Sequence, residues 1–479
     1  MNDSVIRSLF GVGVCLVLIL WGGCGRKDMS GKSKDSVVSS GSAETVKFAV
    51  AWSRNADPDA AGREAAERAI KALGCPAKGV VFYTYYQDSD FVPDEGSQAT
   101  AVKADIAAER AVAKAVASAS GTTPNIGCRA RTLTNGGTLL KNAVGVLAVG
   151  GAQAEVKAFA APILDERLES GRRIADAFKE VKELNLIIAL AEMRLSFEAK
   201  EGVSVEDFIR GVIDNSPAKV SLFGGNSMPD DMAAAELGGA QFYNGRALKG
   251  YVVALGIGGP IRTFANHVNE FKACEGTVTV TETRDKWVVT LDNKPAMEVY
   301  RRVRGMKPEE KLTSDWQHPI GVVVGGGKEY VRMVLNWVGA DGKDKDGKDT
   351  DVPPGSLCFV APVVEGTKVK IFSGGDDARA IVCSAEEGIE ETMREAKASG
   401  AAPALCLLSN CCARGMRLRT FGESGDDEVS EAIIPAMGKE IPLFGFYAWG
   451  ELGRIKGKYQ GLSHQYQQHT FVSAVIAVE

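Results

Sequence analysis

One order of elements occurs three times along this chain of 479 residues, and it constrains the fold more than any other feature. The unit reads helix, strand, helix, glycine-bearing strand and a final apolar strand. Apolar residues at helical spacing predict the helices, and short runs of Val, Ile, Leu and aromatic residues predict the strands. The opening helices are predicted at 62–73, 171–179 and 385–399, and the closing strands at 144–151, 251–256 and 471–478.

These strands are apolar along their whole length, so both of their faces need cover, and the helices that alternate with them supply it. The predicted fold class is therefore α/β, with repeated helix-strand-helix-strand-strand units that form two lobes with mixed sheets. Helical patterning largely stops at 277–373, where Val-rich strands and a hairpin around Asp285-Lys286 are predicted. We expect this segment to be a β-rich insertion.

Composition narrows the classes of function. The chain is 45% apolar, which is enough for one large or two ordinary cores, and its net charge is −5. Its Lys and Arg residues are spread without blocks, so no surface is indicated that would neutralise a row of phosphates. Nucleic acid is not an expected partner.

The N-terminus resembles a bacterial lipoprotein signal. An apolar run at 9–20 is short for a membrane-spanning helix, and it is followed by small residues directly before Cys24. We interpret 1–24 as a lipoprotein-type signal peptide that ends at a lipidated Cys24, with a retained anchor or a simply cleaved signal as alternatives. Residues 25–44, rich in Ser, Gly, Lys and Asp, read as a flexible tether. The expected location is the periplasmic face of a membrane, with the lipid as the membrane partner.

Eight cysteines follow Cys24, an even number that permits disulfides in an oxidising compartment. Most of them lie in apolar strand-like runs, where a buried free thiol is the alternative. No pair of CxxC units is present, so a structural zinc site is not expected.

Several segments resemble the FIST family in its N-terminal and C-terminal parts, over nearly all of 46–479. The N-terminal part carries the resemblance in Ala51-Trp52-Ser53, in Ile126-Gly127-Cys128 and in the Gly224-Gly225 strand that precedes Gln241-Phe242-Tyr243-Asn244-Gly245. The C-terminal part carries it in Ser409-Asn410-Cys411-Cys412-Ala413-Arg414-Gly415 and in the run from Gly445 to Gly453. The order of these segments makes the set more specific than any one of them. On this basis 45–260 is the predicted FIST N-terminal domain and 261–479 the FIST C-terminal domain.

The resemblance implies a sensory protein that binds a small ligand, with an amino acid suggested as the ligand. A haem-binding sensor of nitric oxide is the alternative, because some relatives bind haem. Family members commonly feed a signalling module, and no such module follows Thr470 here, so a separate signalling partner is expected. The family's closing His-Asn-x-Thr pattern is altered as well, since Gln467 and Gln468 stand at its first two positions.

Motifs of common enzymes are absent from the sequence, which contains neither HExxH nor GxSxG. We therefore expect a binding protein that is not an enzyme. An enzyme that uses Cys411 or Glu451 is the alternative, and the lack of an evident His partner weighs against it. No cofactor is predicted. Under the haem alternative, His464 is the least poor candidate for an axial ligand.

Candidate ligand-binding residues follow from the strand ends, where α/β sheets tend to place ligands. Arg414 presents a guanidinium suited to a carboxylate, with a structural salt bridge to Glu451 as the alternative. Glu451 would bind an ammonium group, or else be a solvated turn carboxylate. Cys411 and Cys412 would form a vicinal disulfide or a thiolate beside Arg414, or be buried and idle. Tyr447 ends the strand before Glu451.

Corresponding positions in the other two units complete the predicted site. They are Gly224, Gly225 and Asn226 in the second unit and Gly127 and Cys128, followed by Arg129, in the first. Because equivalent strand ends lie in equivalent places, we predict one pocket between the lobes that draws on all three units.

Overall fold

The computed structural model of the chain describes residues 37–86, 95–139, 142–192, 195, 204–227, 241–307, 310, 312, 319–324, 329–373, 377–459 and 462–479. The predicted signal peptide and Cys24 lie outside these residues. The helices are α1 (Pro58–Leu73), α2 (Glu95–Ser120), α3 (Arg167–Ala177), α4 (Val205–Ile213), α5 (Ala296–Val303), α6 (Ala378–Ala398), α7 (Cys412–Thr420), α8 (Gly425–Asp427), a π-helix (Glu428–Ile433) and α9 (Ile434–Met437).

Strands dominate the rest of the described chain. In chain order they are β1 (Val38–Gly41), β2 (Lys47–Ser53), β3 (Ala77–Tyr85), β4 (Asn125–Arg129), β5 (Thr132–Thr134), β6 (Gly137–Leu139), β7 (Ala143–Gly150), β8 (Glu155–Pro162), β9 (Leu184–Ala191), β10 (Ser221–Asn226), β11 (Gln241–Tyr243), β12 (Arg246–Leu248), β13 (Tyr251–Gly258), β14 (Ile261–Val268), β15 (Lys272–Ala273), β16 (Val278–Arg284), β17 (Trp287–Leu291), β18 (Lys294–Pro295), β19 (Ile320–Val323), β20 (Glu329–Arg332), β21 (Val334–Trp337), β22 (Leu357–Phe359), β23 (Lys368–Ser373), β24 (Ala402–Cys411), β25 (Leu443–Ala448), β26 (Glu451–Tyr459), β27 (Leu462–Gln467) and β28 (Phe471–Val478).

Local sequence signals explain where the helices begin and end. The side chain of Asp57 accepts a hydrogen bond from the backbone N–H of Ala60 and so caps α1, in which Pro58 stands at the first turn. The helix ends at Gly74, which adopts the left-handed conformation with φ of 64°. Ser204 and Asp377 cap α4 and α6 in the same way.

The three predicted units each form a sheet of the same design. In each sheet a central strand pairs in parallel with the glycine-bearing strand and antiparallel with the final strand of the unit. The central strands are β3, β9 and β24, their parallel partners are β4, β10 and β25, and their antiparallel partners are β7, β13 and β28. A leading strand, β2, β8 or β14, pairs with the far side of the final strand. The α/β class with mixed sheets is thereby confirmed.

A hairpin follows the glycine-bearing strand in every unit, and it joins the sheet of a different unit. The β5–β6 hairpin of the first unit pairs with β25 of the third. The β11–β12 hairpin of the second unit pairs with β4 of the first, and the β26–β27 hairpin of the third pairs with β10 of the second. We call these three hairpins the exchanged hairpins. Their exchange closes a ring, so the predicted two lobes are replaced by three interlinked sheets.

The three sheets face one another across a shared apolar core. Val81, Ile188 and Leu407, one from each central strand, are buried in it. The opposite face of each sheet is covered by its own pair of helices or helical segment, which is why the strands are apolar on both faces.

The predicted β-rich insertion is a fourth sheet with its own apolar cluster. The predicted hairpin is present, because β16 pairs with β17 across Asp285, which has φ of 52°. A buried ion pair between Arg332 of β20 and Glu206 of α4 attaches this sheet to the second unit. None of the helices in the described ranges is long and apolar enough to cross a membrane.

Candidate functional site

Arg414 lies on the first turn of α7 with its side chain fully buried. Each of its five N–H groups has an acceptor in the protein, which is the full capacity of a guanidinium. The acceptors are the Asn410 side chain, the Ser384 hydroxyl, the carboxylates of Glu270 and Glu428, and the carbonyl of Ile381. Arg414 therefore has no donor left for a ligand.

Charges around Arg414 are balanced within the protein. Glu270 also pairs with Arg417 and lies 3.5 Å from the imidazole of His469. Burial opposes ionisation of Glu270, but Arg414, His469 and Arg417 outweigh it and hold the pKa of Glu270 at about 2. The salt bridge weighed for Arg414 is thus present, but its partners are Glu270 and Glu428 and not Glu451.

Cys411 and Cys412 stand where β24 passes into α7, and both are buried free thiols. They do not form the vicinal disulfide that was one alternative. Burial and the neighbouring Cys412 thiol raise the pKa of Cys411, so a thiolate is disfavoured at neutral pH.

Glu451 is the first residue of β26 and is fully buried rather than solvated. Its Oε2 accepts a hydrogen bond from the Thr470 hydroxyl at 2.8 Å, while the described residues give its Oε1 no hydrogen-bond partner of good geometry. Burial and the Cys411 thiol raise the pKa of Glu451 well above that of a free carboxyl. Burial thus favours the protonated form of this carboxyl, which can itself donate a hydrogen bond.

The second unit brings its three predicted residues next to Glu451. Gly225 is the antiparallel partner of Glu451, and Gly224 is the partner of Leu452. A Cβ on Gly224, whose φ is 151°, would lie 1.9 Å from the carbonyl oxygen of Ala189, so only glycine fits there. The Asn226 amide donates a hydrogen bond to the hydroxyl of Tyr466 at 3.0 Å.

Tyr447 belongs to the third unit and is buried within electrostatic reach of Arg414, and its hydroxyl has no hydrogen-bond partner among the residues that the structure describes. Gly127 and Cys128 of the first unit lie inside β4. A Cβ on Gly127 would lie 2.6 Å from the Phe82 ring, so this glycine makes room for an aromatic side chain. Cys128 belongs to the shared core, and its antiparallel partner is Gln241.

Strand register shows which residue of the first unit corresponds to Asn226 and Tyr447. It is Arg129, the last residue of β4, which lies opposite Thr84 as Tyr447 lies opposite Asn410. The sequence placed Arg129 directly after Gly127-Cys128 at a strand end. The sequence did not reveal that two acidic residues of α2, Asp105 and Glu109, lie next to this arginine.

The Arg129 side chain is buried with Asp105 and Glu109. Its Nε lies 3.3 Å from a carboxylate oxygen of Glu109, and one terminal nitrogen lies 3.7 Å from Asp105. In contrast to Arg414, the Nε and Nη1 of Arg129 have no hydrogen-bond partner of good geometry within the described chain, nor does the hydroxyl of Thr84. We call these four residues, Thr84, Asp105, Glu109 and Arg129, the Arg129 cluster.

Burial in the Arg129 cluster favours the protonated form of one of its two carboxyl groups, that of Glu109. Burial raises the pKa of Glu109 to about 8, against the opposing effect of Arg129. The guanidinium of Arg129 also lies 5.5 Å from the ring centre of Tyr85. The cluster therefore holds a cation and two carboxyl groups, one of them largely protonated at pH 7.

The surroundings of His464 do not favour it as an axial haem ligand. The Nε2 of His464 accepts a hydrogen bond from the backbone N–H of Leu222, its Nδ1 lies 3.1 Å from the Ser463 hydroxyl, and burial lowers its pKa to about 3. An axial haem ligand needs a free ring nitrogen. Among the described residues, no group of three or more His, Cys, Asp and Glu side chains is arranged to hold a metal ion.

The fold and these strand-end clusters define a class: an α/β protein of three interlinked units with buried polar groups where its central and glycine-bearing strands end. Family comparison gives the particular assignment. The FIST N domain matches residues 98–294 and the FIST C domain matches residues 296–454. The chain belongs to the FIST family, whose domains are associated with small-ligand sensing and signal transduction.

Similarity to solved structures is remote. A cyanuric acid hydrolase described as an innovation by structural concatenation shares 10% identity over 91% of this chain and 100% of its own, with a TM-score of 0.32. The cyanuric acid hydrolase of A. caulinodans shares 10% sequence identity over 93% of this chain and 100% of its own, with a TM-score of 0.29. PurL of T. maritima complexed with AMPPCP shares 10% sequence identity over 90% of this chain and 72% of its own, with a TM-score of 0.20. No curated protein matches the chain. Scores this low carry no argument about function.

Proposed function

We propose that this FIST protein is a lipid-anchored periplasmic receptor that binds an amino acid and acts through a separate signalling partner, without catalysis. The observation that carries the ligand class is the Arg129 cluster. It holds a buried guanidinium beside two carboxyl groups, and two of its nitrogens have no hydrogen bond of good geometry to any described residue, at the strand ends where α/β folds place ligands.

An α-amino acid complements this arrangement on both sides. Its carboxylate would take the Nε and Nη1 donors of Arg129, and its ammonium would meet Glu109 and Asp105. The Thr84 hydroxyl, on the same face of the sheet as Arg129, supplies one further polar contact. Arg414 does not suit this role, because its five donors are used within the protein.

Isothermal titration of the full-length protein with the proteinogenic amino acids tests this proposal. We expect at least one to bind, and Thr84→Val to weaken it about tenfold through the loss of one buried hydrogen bond. Arg129→Met should abolish binding. The matched control is Arg110→Met on the exposed side of the same helix as Glu109. Binding that is unchanged in both Thr84→Val and Arg129→Met would rule out this site.

Export is tested separately at Cys24. Mass spectrometry of the N-terminal peptide from membranes should show a diacylglyceryl group on Cys24, and Cys24→Ser should leave the precursor uncleaved. An unmodified, soluble mature protein would contradict the anchor. Crosslinking in membranes with and without the bound amino acid would reveal the signalling partner.

A further inference from the structure

The exchanged hairpins place three polar residues at equivalent points. Thr132, Gln241 and Glu451 each begin their hairpin. In the adjoining sheet they lie opposite Phe446, Cys128 and Gly225 respectively. Antiparallel partners point to the same face of a sheet, and Phe446 and Cys128 belong to the shared core. All three polar side chains therefore face the shared core, and all three are buried.

The central strands add polar groups at the same level. Tyr83 is the parallel partner of Cys128, and Ser409 is the parallel partner of Phe446, so both face the shared core as well. Gln467 joins them from β27, because it is the antiparallel partner of Glu451. We call Tyr83, Gln241, Ser409, Glu451 and Gln467 the central polar layer.

Contacts between sheets place members of this layer beside residues of the neighbouring sheets. A Cβ on Gly225 would lie 3.0 Å from the Ser409 hydroxyl oxygen, which belongs to another sheet. The Tyr83 ring stacks on Phe444 with centroids 4.4 Å apart, across the first and third units. Gln241 donates to the Ser227 hydroxyl at 2.8 Å, directly after the strand that holds Gly225.

Every member of the layer has a fully buried polar atom for which the described residues supply no hydrogen-bond partner of good geometry. These atoms are the Tyr83 hydroxyl, Gln241 Oε1, Ser409 Oγ, Glu451 Oε1 and both amide atoms of Gln467. A buried polar group left without a partner lowers the free energy of unfolding by about 1–3 kcal/mol. Several such groups at one level of the core therefore point to a bound molecule that forms hydrogen bonds with them.

We propose that the central polar layer is a second binding site, which takes the carboxamide of a small uncharged molecule. Among the described residues, the acceptors without a partner are Gln241 Oε1 and Gln467 Oε1. The Gln467 amide, the two hydroxyls and the protonated form of Glu451 that burial favours supply donors. A carboxamide has both an acceptor, its oxygen, and a donor, its NH2 group, in one plane. Its isosteric carboxylate would bring an uncompensated charge to a layer that contains no Arg or Lys, and this is unfavourable in the interior.

The test uses full-length protein and three matched pairs of probes: nicotinamide and nicotinate, benzamide and benzoate, acetamide and acetate. Isothermal titration should show binding of at least one carboxamide and of none of the three acids. Gln467→Leu should weaken that binding about tenfold or more, since it removes one donor and one acceptor. Glu451→Gln should keep it within a few fold, because an amide also donates, whereas Glu451→Leu should abolish it.

Gln468→Leu is the matched control, because Gln468 is also buried and its Oε1 accepts a hydrogen bond from the backbone N–H of Met333, whereas only its Nε2 lacks a partner among the described residues. We expect it to keep carboxamide binding and to lower the unfolding midpoint. Gln467→Leu should leave the midpoint of the ligand-free protein unchanged or higher, because it removes unpartnered groups.

Failure of all three carboxamides to bind, or equal loss of binding in Gln467→Leu and Gln468→Leu, would overturn the proposal. Arg129 and Thr84 variants should retain carboxamide binding, which separates this site from the amino-acid site of the proposed function.

Discussion

At the residue scale, the two buried arginines at strand ends differ in how fully their donors are used. Arg414 is held by two carboxylates, a side-chain amide, a hydroxyl and a carbonyl, and so acts as a structural centre. For Arg129, the Nε and Nη1 find no hydrogen-bond acceptor of good geometry among the described residues. Sequence favoured Arg414 because it follows a strand, but nothing in the sequence shows that Glu270 and Glu428 converge on it from distant positions.

The structural role of Arg414 predicts a loss of stability rather than a selective loss of binding. Arg414→Ala leaves Glu270 and Glu428 buried without their main cation, which costs about 3–5 kcal/mol of unfolding free energy. Urea denaturation followed by circular dichroism measures this. Arg63→Ala, which breaks an exposed pair with Asp59, is the control and should leave the midpoint near that of the wild type. A stable Arg414→Ala protein would contradict the structural role.

Glu109 predicts a pH dependence of stability. Its folded-state pKa of about 8 lies above the ordinary value of 4.5, so the folded protein holds a proton that the unfolded chain releases. The stabilisation of the folded state that this bound proton gives is fully present below pH 4.5 and is lost as the pH rises to about 8. Glu109→Gln should therefore flatten the fall in stability over that range, as measured by thermal unfolding in a pH series. An unchanged slope would show that Glu109 is already ionised.

Amino-acid binding should be linked to the same proton. An ammonium placed beside Glu109 stabilises its carboxylate, so binding at pH 7 should release a proton and tighten as the pH rises towards 8. Titration calorimetry in buffers of different ionisation enthalpy detects the proton. In Glu109→Gln the release should disappear, and its persistence would assign the proton to another group.

At the element scale, the pairs of helices in the first two units cross at glycines. A Cβ on Gly171 of α3 would lie 2.1 Å from the carbonyl oxygen of Phe208, and one on Gly211 of α4 would lie 2.2 Å from that of Leu168. In the first unit, a Cβ on Gly62 of α1 would lie 2.8 Å from the carbonyl oxygen of Val112. Sequence periodicity predicted these helices, but it did not show that their glycines face a neighbouring backbone.

Gly211→Ala should therefore destabilise the protein even though alanine favours helix formation. We expect a loss of about 1–3 kcal/mol, because α3 and α4 must move apart. Gly62→Ala should cost less, since its contact is longer. Chemical denaturation of the two variants in parallel gives the comparison, and a stabilised Gly211→Ala protein would show that the helices can separate freely.

At the scale of the whole molecule, the exchanged hairpins are the feature that sequence patterns could not reveal. The repeat itself was visible, because helix and strand periodicities recur in the same order. Short hairpins such as β5–β6, with residues Thr132 and Leu133, carry no signal for the sheet they will join. The single pocket predicted from three strand ends stays a prediction, and the exchange explains why Glu451 lies opposite Gly225.

This exchange predicts that neither family half folds alone. Without residues 295–479, the second sheet loses the partner of β10, and without residues 1–294 the third sheet loses β14 and the β5–β6 hairpin. Each fragment should lack cooperative thermal unfolding by itself, and the two should recover it when coexpressed. A fragment that unfolds cooperatively on its own would show that the exchanged hairpins are dispensable.

Synthesis from the N-terminus gives the β26–β27 hairpin a further consequence. The second sheet has all of its other strands once residue 258 has been made, yet the edge of β10 waits for a hairpin more than 190 residues later in the sequence. Until then one edge of β10 is unpaired in the nascent chain, so the second sheet is incomplete. A second sheet that stays open until β26 and β27 have been made would suit the export proposed above, because this part of the chain is not fully folded while it passes through a translocation channel.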